Sequence, residues 1–314
     1  MAKTDLTKKL LTRFSRLAGQ RQNWETHWQE VADYMMPRKS DVTKKRTRGD
    51  KRMELIFDSS PLQALELLAA SLHGMLTNPS TPWFTLRFKQ DNVDQEDEAK
   101  LWLESATDAM YTAFNRSNFQ QEIFELYHDL ITFGTAAMFI EEDEEDFIKF
   151  STRHIDEVYI AENDKGRIDT IYRRFNLSAR AVVQKFGTAV SQDILVLEKK
   201  DPYKEVEIVH AVYPRADFNP TKKDKKNMPF ESVYMEYKNG NELSVSGFKE
   251  FPFVVPRYLK ASHEIYGRSP AMTALPDVKM LNEMVKTTIK AAQKQVDPPL
   301  LVPDDGFLLP VRTV

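Results

Sequence analysis

The chain has 314 residues, 41% hydrophobic and 29% charged, which is enough for one large domain or two smaller ones with a proper core. The net charge of -3 excludes a general polycation, so any contact with nucleic acid must come from a local patch. The absence of cysteine excludes a disulfide framework, cysteine-ligated zinc and thiol catalysis. We expect no secretory signal and no membrane helix, because no apolar run approaches the ~18 residues that a membrane helix needs.

The first third of the chain is predicted to be helical. Its apolar residues recur at three-or-four spacing in four stretches. These stretches are Leu6–Met36, Ser60–Met75, Trp102–Phe114 and Phe119–Phe133. Pro37 ends the first helix, Ser60 and Pro61 are typical of a cap and a first helical residue, and Gly134 lets the chain turn after the fourth. The aromatic stretch Trp83–Phe88 predicts a short strand between the second and third helices.

From Thr135 the apolar period changes to that of strands. Three antiparallel pairs are predicted: Ala137–Ile140 with Phe147–Thr152, Val158–Ala161 with Ile168–Phe175, and Val233–Lys238 with Glu242–Ser246. Asn239-Gly240 in the third pair is the strongest hairpin signal of the chain. A short helix between Ser178 and Gly187 and a strand over Glu205–Val212 complete this β-rich middle. The sequence therefore predicts an α+β fold.

A long helix follows the Tyr266–Pro270 turn and stops at Pro298-Pro299. At about 100° per residue, four lysines fall within roughly 80° of one another on this helix. They are Lys279, Lys286, Lys290 and Lys294. Apolar residues such as Leu281, Met284 and Val285 lie on the other side. The pattern predicts that one side packs against protein while the other presents positive charge, although an ordinary amphipathic surface helix has the same pattern.

The final residues contain two apolar strands, Leu300–Val302 and Phe307–Leu309, without a visible partner. Because unpaired strands form sticky edges, we expect that more polypeptide follows in the parent protein or that neighbouring subunits complete the sheet.

A basic segment between the first two helices is a second candidate contact surface. Its cations are Lys44, Lys45, Arg46, Arg48, Lys51 and Arg52. Such a loop either contacts nucleic acid or an acidic partner, or is simply solvated, and the sequence leaves both interpretations open. Lys222–Lys226 forms another basic loop.

Sequence motifs of catalysis are absent. The six histidines are scattered without metal-binding spacing, and we find no glycine-rich phosphate loop. The acidic turn Glu141–Asp146 lacks the glycine and alternating spacing of a calcium loop, so a solvated turn is favoured. The pairs Trp24 with Trp28 and Trp83 with Phe84 have the spacing of core residues more than of base-stacking platforms. No catalytic residue, cofactor or metal is therefore predicted.

Four places together resemble the portal protein, or head-to-tail connector, of short-tailed double-stranded DNA bacteriophages. They are the helix Leu11–Pro37, the helix and aromatic segment Ser71–Leu86, the stretch Leu130–Met138, and Tyr266–Pro270 with the helix after it. The match covers nearly all 314 residues but only the N-terminal half to two-thirds of a typical member. The later family helices, including the second stem helix, the rest of the wing and the crown, have no counterpart here.

The resemblance implies a dodecameric ring at one capsid vertex, through which terminase pumps the genome and to which tail proteins attach. It assigns 1–134 to the helical part of the wing, 135–262 to its β-rich part, 263–296 to the stem helix that lines the channel, and 297–314 to the start of the clip. The four lysines would then meet DNA phosphates. Major capsid, scaffolding, terminase and tail adaptor proteins are the implied partners, in a virion assembled in the host cytoplasm without a membrane contact. The rival hypothesis is a DNA-binding or adaptor protein outside any ring, which uses the basic loop 44–52.

Overall fold

A computed structural model of the chain describes residues 5–47, 49–88, 97–145, 147–221, 224 and 227–299. The helices are α1 (Asp5–Met35), α2 (Ser60–Leu76), α3 (Asp97–Arg116), α4 (Phe119–Phe133), α5 (Ala179–Phe186), α6 (Gln192–Lys200) and α7 (Pro270–Val296). The strands are β1 (Ala137–Asp143), β2 (Phe147–Arg153), β3 (Val158–Glu162), β4 (Ile168–Ser178), β5 (Glu205–Pro214), β6 (Phe230–Glu236), β7 (Glu242–Phe248) and β8 (Phe253–Val254). This order of helices, strands and a final long helix is the predicted α+β arrangement.

The strands form two antiparallel sheets, a three-stranded sheet in the order β2-β1-β8 and a five-stranded sheet in the order β3-β4-β5-β6-β7. All three predicted hairpins are confirmed. Gly166 and Gly240 have positive φ in the turns of the second and third hairpins, as glycine permits. The predicted strands 300–302 and 307–309 lie outside the described residues, as do four of the five residues of the basic loop 222–226.

The largest core joins the helical part to the three-stranded sheet. Trp28 of α1, Ile131 and Phe133 of α4, Phe139 of β1 and Leu275 of α7 are all buried in it. A second core packs the first turns of α1 against the five-stranded sheet, and a third lies under α5 and α6. Because α1 contributes to the first two cores, this helix joins the helical and β-rich parts of the chain.

Arg21 fixes the middle of α1 to the turn that precedes β3. Its guanidinium is buried, donates to the carbonyl oxygens of Ile155 and Val158 at 2.8 and 2.6 Å, and pairs with Glu25 at 2.7 Å. The same group lies 3.7 Å from the centre of the Tyr159 ring. A buried arginine is stabilised only when its donors are satisfied in this way.

The structure differs from the sequence analysis at three places. Trp83–Phe88 does not form a strand, because the Tyr111 hydroxyl of α3 accepts the backbone N–H groups of Trp83 and Phe84 at 2.7 Å in place of a neighbouring strand. Ser59, not Ser60, is the N-cap of α2, a shift of one residue. Helix α6 was not predicted, and its nine residues bury only Ile194.

Candidate functional site

Two glycines bring the end of α4 and the start of α7 into contact, and we call this contact the glycine crossing (Gly134 and Gly267). Gly134 has φ of 76° at the C-cap of α4. A Cβ on Gly134 would lie 2.7 Å from the carbonyl carbons of Gly267 and Arg268, and closer still to the Gly267 oxygen. A Cβ on Gly267 would meet the Gly134 oxygen and lie 3.0 Å from Arg257 Cβ. Both positions therefore require glycine because two backbones approach each other.

Hydrogen bonds hold the crossing together. The Gly267 N–H donates to Thr135 Oγ1 at 2.7 Å, and the Tyr258 N–H donates to the Gly134 carbonyl at 2.9 Å. Ser269 caps α7 by accepting the Met272 N–H at 3.0 Å, and its hydroxyl donates to the Thr132 carbonyl at 2.8 Å. One serine thus starts α7 and attaches it to α4.

An aromatic cluster supports the crossing from α1. The Tyr266 ring is buried, with ring centres 5.9 Å from Trp24 and 5.0 Å from Trp28, and its hydroxyl accepts the Ile160 N–H at 3.3 Å. Burial raises the pKa of Tyr266 to about 12, so the hydroxyl stays protonated at neutral pH. Trp28 is therefore a core residue and Trp24 packs against the core, which fits the interpretation that the sequence favoured.

The middle of α7 holds the segment that leads into α2. Asn282 is buried, and its Oδ1 accepts the Phe57 N–H at 2.7 Å while its Nδ2 donates to the Leu55 carbonyl at 2.8 Å. The segment itself exposes Met53, Leu55 and Phe57. Nothing in the sequence marked Asn282 as a contact, since its partners lie more than 220 positions away.

The first half of α7 packs on its lysine side, contrary to the expectation that its apolar side would face protein. Buried Leu275 and Asn282 lie on the same side as Lys279 and Lys286. On the other side, Met280 is 59% and Met284 60% exposed. The long stems of the lysines allow this arrangement, because they cover apolar surface while the ammonium groups reach carboxylates.

The four lysines of α7 divide into two pairs. Lys279 pairs with Glu30 of α1, and its Nζ lies 5.7 Å from the Tyr34 ring centre. Lys286 pairs with Glu283 at 2.7 Å and lies 5.6 Å from the Phe57 ring centre.

Lys290 and Lys294 are exposed and have no carboxylate within 4.0 Å in the described part of the chain. They lie on residues 287–296, which are all exposed and which we call the α7 overhang. At 1.5 Å per residue the overhang extends about 15 Å beyond the packed part of α7.

Much of the basic loop 44–52 folds back on α1. Gln29 accepts the Thr43 and Lys44 N–H groups at 2.8 and 3.2 Å, and Asp33 pairs with Lys44 at 3.4 Å and with Arg46 at 3.6 Å. Arg52 pairs with Asp41. Lys45 and Lys51 are exposed, whereas Arg48 lies outside the described residues. Intrachain carboxylates therefore engage three of the six predicted contact residues.

Two of the histidines contact carboxylates. His128 contacts Glu66 at 2.9 Å and His154 contacts Asp156 at 2.7 Å. Burial lowers the pKa of His128, while the hydrogen bond and charge of Asp156 outweigh burial and raise the pKa of His154. Among the described residues, no group of three or more histidine, aspartate or glutamate side chains has the arrangement of a metal site.

A search of the same residues finds no helix long and apolar enough to cross a membrane.

Comparison with known proteins confirms the resemblance. The family described as bacteriophage head to tail connecting protein matches residues 7–313. The chain is 33% identical to a probable portal protein of Bordetella phage BPP-1, over 100% of this chain and 58% of that protein. It is also 33% identical to a portal protein of Salmonella phage epsilon15, over 96% of this chain and 55% of that protein. The chain thus spans somewhat more than half the length of these relatives, and it belongs to the bacteriophage head-to-tail connecting protein family.

Proposed function

We propose that the chain is part of a structural, non-catalytic subunit of a dodecameric portal ring at the capsid vertex. The ring forms the channel for DNA packaging and ejection and is the attachment point for the tail. In this proposal 1–134 and 135–262 form the wing, 263–296 the stem helix, and 297–314 the start of the clip. The chain spans 55–58% of the length of its relatives, so the proposal concerns the whole protein to which the chain corresponds.

The observation that carries the proposal is the way α7 is held. Its start is fixed by the glycine crossing and Ser269 and its middle by Asn282, whereas the overhang has no packing partner in the described chain. An isolated amphipathic helix end of this kind gains little stability from its own propensity. A neighbouring copy of the helix in a ring supplies the missing contact.

The exposed apolar side of α7 is the proposed contact between neighbouring subunits. Met280, Leu281 and Met284 are 59%, 39% and 60% exposed, respectively, on a helix whose other side is already packed. A closed ring uses head-to-tail contacts, in which one surface of a subunit meets a different surface of the next. An apolar stripe on a fixed helix is suited to such a contact because methionine adapts to irregular partners.

Lys290 and Lys294 are the best candidates for contact with DNA in the channel. Their ammonium groups are free of carboxylates in the residues described, whereas Lys279 and Lys286 are engaged with Glu30 and Glu283. Lysine contacts phosphate as a mobile point charge, which is independent of sequence and weak at each site. Such contacts let DNA slide through a ring instead of trapping it.

The proposed partners are terminase during packaging, the major capsid and scaffolding proteins around the ring, and tail adaptor proteins afterwards, in the virion. The rival proposal, a DNA-binding or adaptor protein outside any ring, depends on the loop 44–52. The ion pairs of Lys44, Arg46 and Arg52 leave that loop less charge for DNA, so we favour the ring.

The first test is the mass and shape of the complete natural protein, measured by mass photometry and negative-stain imaging. We expect a ring of twelve subunits with a central hole wide enough for duplex DNA. A variant with Met280→Glu and Met284→Glu is expected to shift the mass toward monomers, because it places carboxylates in the proposed contact. A monomer of the complete protein in the presence of capsid components would contradict the ring and favour the adaptor.

The second test addresses the channel. The triple variant Lys286→Glu, Lys290→Glu and Lys294→Glu is expected to form rings and to package less DNA, measured as DNase-protected DNA per capsid. A matched triple variant, Lys165→Glu, Lys238→Glu and Lys249→Glu, makes the same charge change at exposed positions outside α7. Equal packaging by the two variants would remove the channel assignment of the lysines while leaving the ring intact.

A further inference from the structure

The outer side of α7 carries exposed apolar residues, which we call the α7 stripe (Met280, Leu281 and Met284). At about 100° per residue, Met280 and Met284 lie on the side opposite Asn282, which is buried where the helix packs. Asp277 lies on the same outer side, about one turn before Met280, and is exposed. The outer side of the packed half of α7 therefore presents an apolar surface with a carboxylate beside it.

A second exposed apolar surface lies on the packed side of α7, in the stretch before α2 that we call the 53–57 segment. Its residues Met53, Leu55 and Phe57 are 54%, 48% and 41% exposed. Asn282 holds the backbone of this segment through its hydrogen bonds to the Phe57 N–H and the Leu55 carbonyl. Apolar side chains that stay half exposed on a fixed segment indicate a contact that the single chain does not supply.

A groove beside Met53 extends this second surface. It has a volume of about 300 Å³ and lies between the end of α1 and the start of α2. Its lining combines charged and apolar side chains, and the apolar ones besides Met53 are Met35, Met36, Leu62 and Leu65. A methionine from a partner would suit this groove, because its unbranched side chain adapts to irregular cavities.

The charges next to the two surfaces have opposite signs. Lys51 lies two residues before Met53, and Asp277 lies three residues before Met280. Both charged residues are exposed, and neither has an oppositely charged side chain within 4.0 Å in the described part of the chain. Opposite charges at the rim of an interface fix its register, so a pair of Lys51 with Asp277 would align Met53 with Met280.

The two surfaces cannot meet within one subunit, because α7 itself separates them by about the 10 Å width of a helix. They can meet between two copies of the chain, where one surface of a subunit contacts a different surface of the next. A head-to-tail contact of this kind repeats in every subunit and closes into a ring when its rotation closes.

We propose that the α7 stripe of one subunit packs on the 53–57 segment of the next. Met280 enters the groove beside Met53. Asp277 pairs with Lys51 at the edge of the contact. This inference rests on the proposed ring, and it names the surface that receives the α7 stripe. An interface of standard size buries about 1,200–2,000 Å² in total, so these side chains form its apolar centre and not the whole contact.

The test is cross-linking between introduced cysteines, since the chain has none of its own. In the complete natural protein, Met53→Cys combined with Met280→Cys is treated with a short bismaleimide and separated under denaturing conditions. We expect a ladder of covalent oligomers, because every subunit offers one thiol to each neighbour. Each single variant has the thiol on only one of the two surfaces and is expected to remain a single chain. The protein without introduced cysteines is the control for thiols outside this chain.

A matched pair tests whether the contact is specific. Leu67 is 71% exposed on α2 and lies outside the proposed contact. Leu67→Cys combined with Met280→Cys is therefore expected to give no ladder. A ladder from this pair, without one from the pair at Met53 and Met280, would overturn the proposal and place the α7 stripe on α2.

Charge exchange is a second measurement of the same contact. Lys51→Glu and Asp277→Lys each place like charges opposite each other, and each is expected to raise the protein concentration at which half of the rings dissociate by about twofold to fivefold. The two changes together restore an opposite pair, so the double variant is expected to return toward the parent value.

The results separate this contact from the ring itself. Rings in the parent protein, seen by mass photometry, with neither a ladder from the pair at Met53 and Met280 nor a recovery in the charge exchange would overturn the contact and leave the proposed function standing. A parent protein that forms no rings would overturn both.

Discussion

The glycine crossing gives the sharpest prediction, that Gly134→Ala destabilises the fold severely. Three effects add at this position. An alanine at φ of 76° costs about 1–2 kcal/mol, and its Cβ at 2.7 Å from two backbone carbons forces a shift that costs about 1–3 kcal/mol more. The shift also weakens the hydrogen bond from Tyr258 to the Gly134 carbonyl, at about 1 kcal/mol. The expected loss of about 3–6 kcal/mol is a large part of the 5–15 kcal/mol that stabilises a typical domain.

Two other glycines separate the contributions. Gly166→Ala has the same backbone strain, at φ of 70°, but its Cβ meets only the flexible end of Lys260 at 3.1 Å, so it is expected to lose about 1–2 kcal/mol. Gly267→Ala has the backbone collision without the positive φ and is expected to lose about 1–3 kcal/mol. The double variant at positions 134 and 267 is expected to lose less than the sum, because one separation of the two backbones relieves both collisions.

The assay is chemical denaturation in urea, with fluorescence of the tryptophans near the crossing and circular dichroism as independent probes. The glycine variants are made together with Met280→Glu and Met284→Glu, which are expected to prevent ring formation, so that the free energy of unfolding of the single subunit is measured. A loss in Gly134→Ala no larger than in Gly166→Ala would refute the argument, since strain alone would then explain it and the close backbone approach would have no energetic weight.

Three further predictions concern single side chains. Arg21→Met leaves three carbonyl groups and a carboxylate without their donor and is expected to lower the free energy of unfolding by about 3–5 kcal/mol, whereas exposed Arg16→Met on the same helix changes it by about 0.5 kcal/mol or less. Asn282→Ala is expected to cost about 1.5–3 kcal/mol and to speed hydrogen exchange at the Phe57 amide, which loses its acceptor. Because the pKa of folded His210 is depressed, only the unfolded chain takes up a proton on this histidine when the pH is lowered below about 6.5. The free energy of unfolding therefore decreases as the pH is lowered, by up to about 1.4 kcal/mol per pH unit for this group. His210→Phe is expected to remove that part of the slope.

Each of these predictions has a result that contradicts it. Equal denaturation midpoints for the two arginine variants would mean that the guanidinium of Arg21 contributes no more than an exposed one. Unchanged exchange at Phe57 in Asn282→Ala would show that the segment before α2 is held by other contacts. An identical pH slope in the parent protein and in His210→Phe would show that the pKa of His210 is the same in the folded and the unfolded chain.

Local sequence patterns predicted most of the elements because the decisive signals lie within each element. The hairpin at Asn239-Gly240, the helix Phe119–Phe133 and the cap at Ser178 needed only the residues in and beside them. Helix α6 was missed because it is short and buries one residue, which leaves almost no periodicity to read. The false strand at Trp83–Phe88 had strand composition, but its hydrogen-bond partner is the side chain of Tyr111, which a sequence pattern does not show.

The candidate site could be predicted only in fragments. Gly134 and Gly267 stood in two separate motifs of the resemblance, and nothing in either motif indicated that they touch across 133 positions. The periodicity of α7 separated lysine from apolar residues correctly, but a period does not say which side finds a partner. Tertiary packing decided that question through Asn282 and Leu275, which occupy the lysine side.

This packing changes how charge is distributed along α7. Glu30 and Glu283 engage the lysines of its packed half, so little of that positive charge remains for a third partner. The overhang keeps Lys290 and Lys294 without such partners in the described residues. If twelve copies form the proposed ring, the positive charge gathers in one belt at the end of the helix instead of along its whole length. DNA in such a channel contacts a narrow ring of mobile charges, and salt screens the attraction between these charges and the phosphates. Because DNA contacts the helices over one belt and not along their full length, the contact resists the sliding of DNA less.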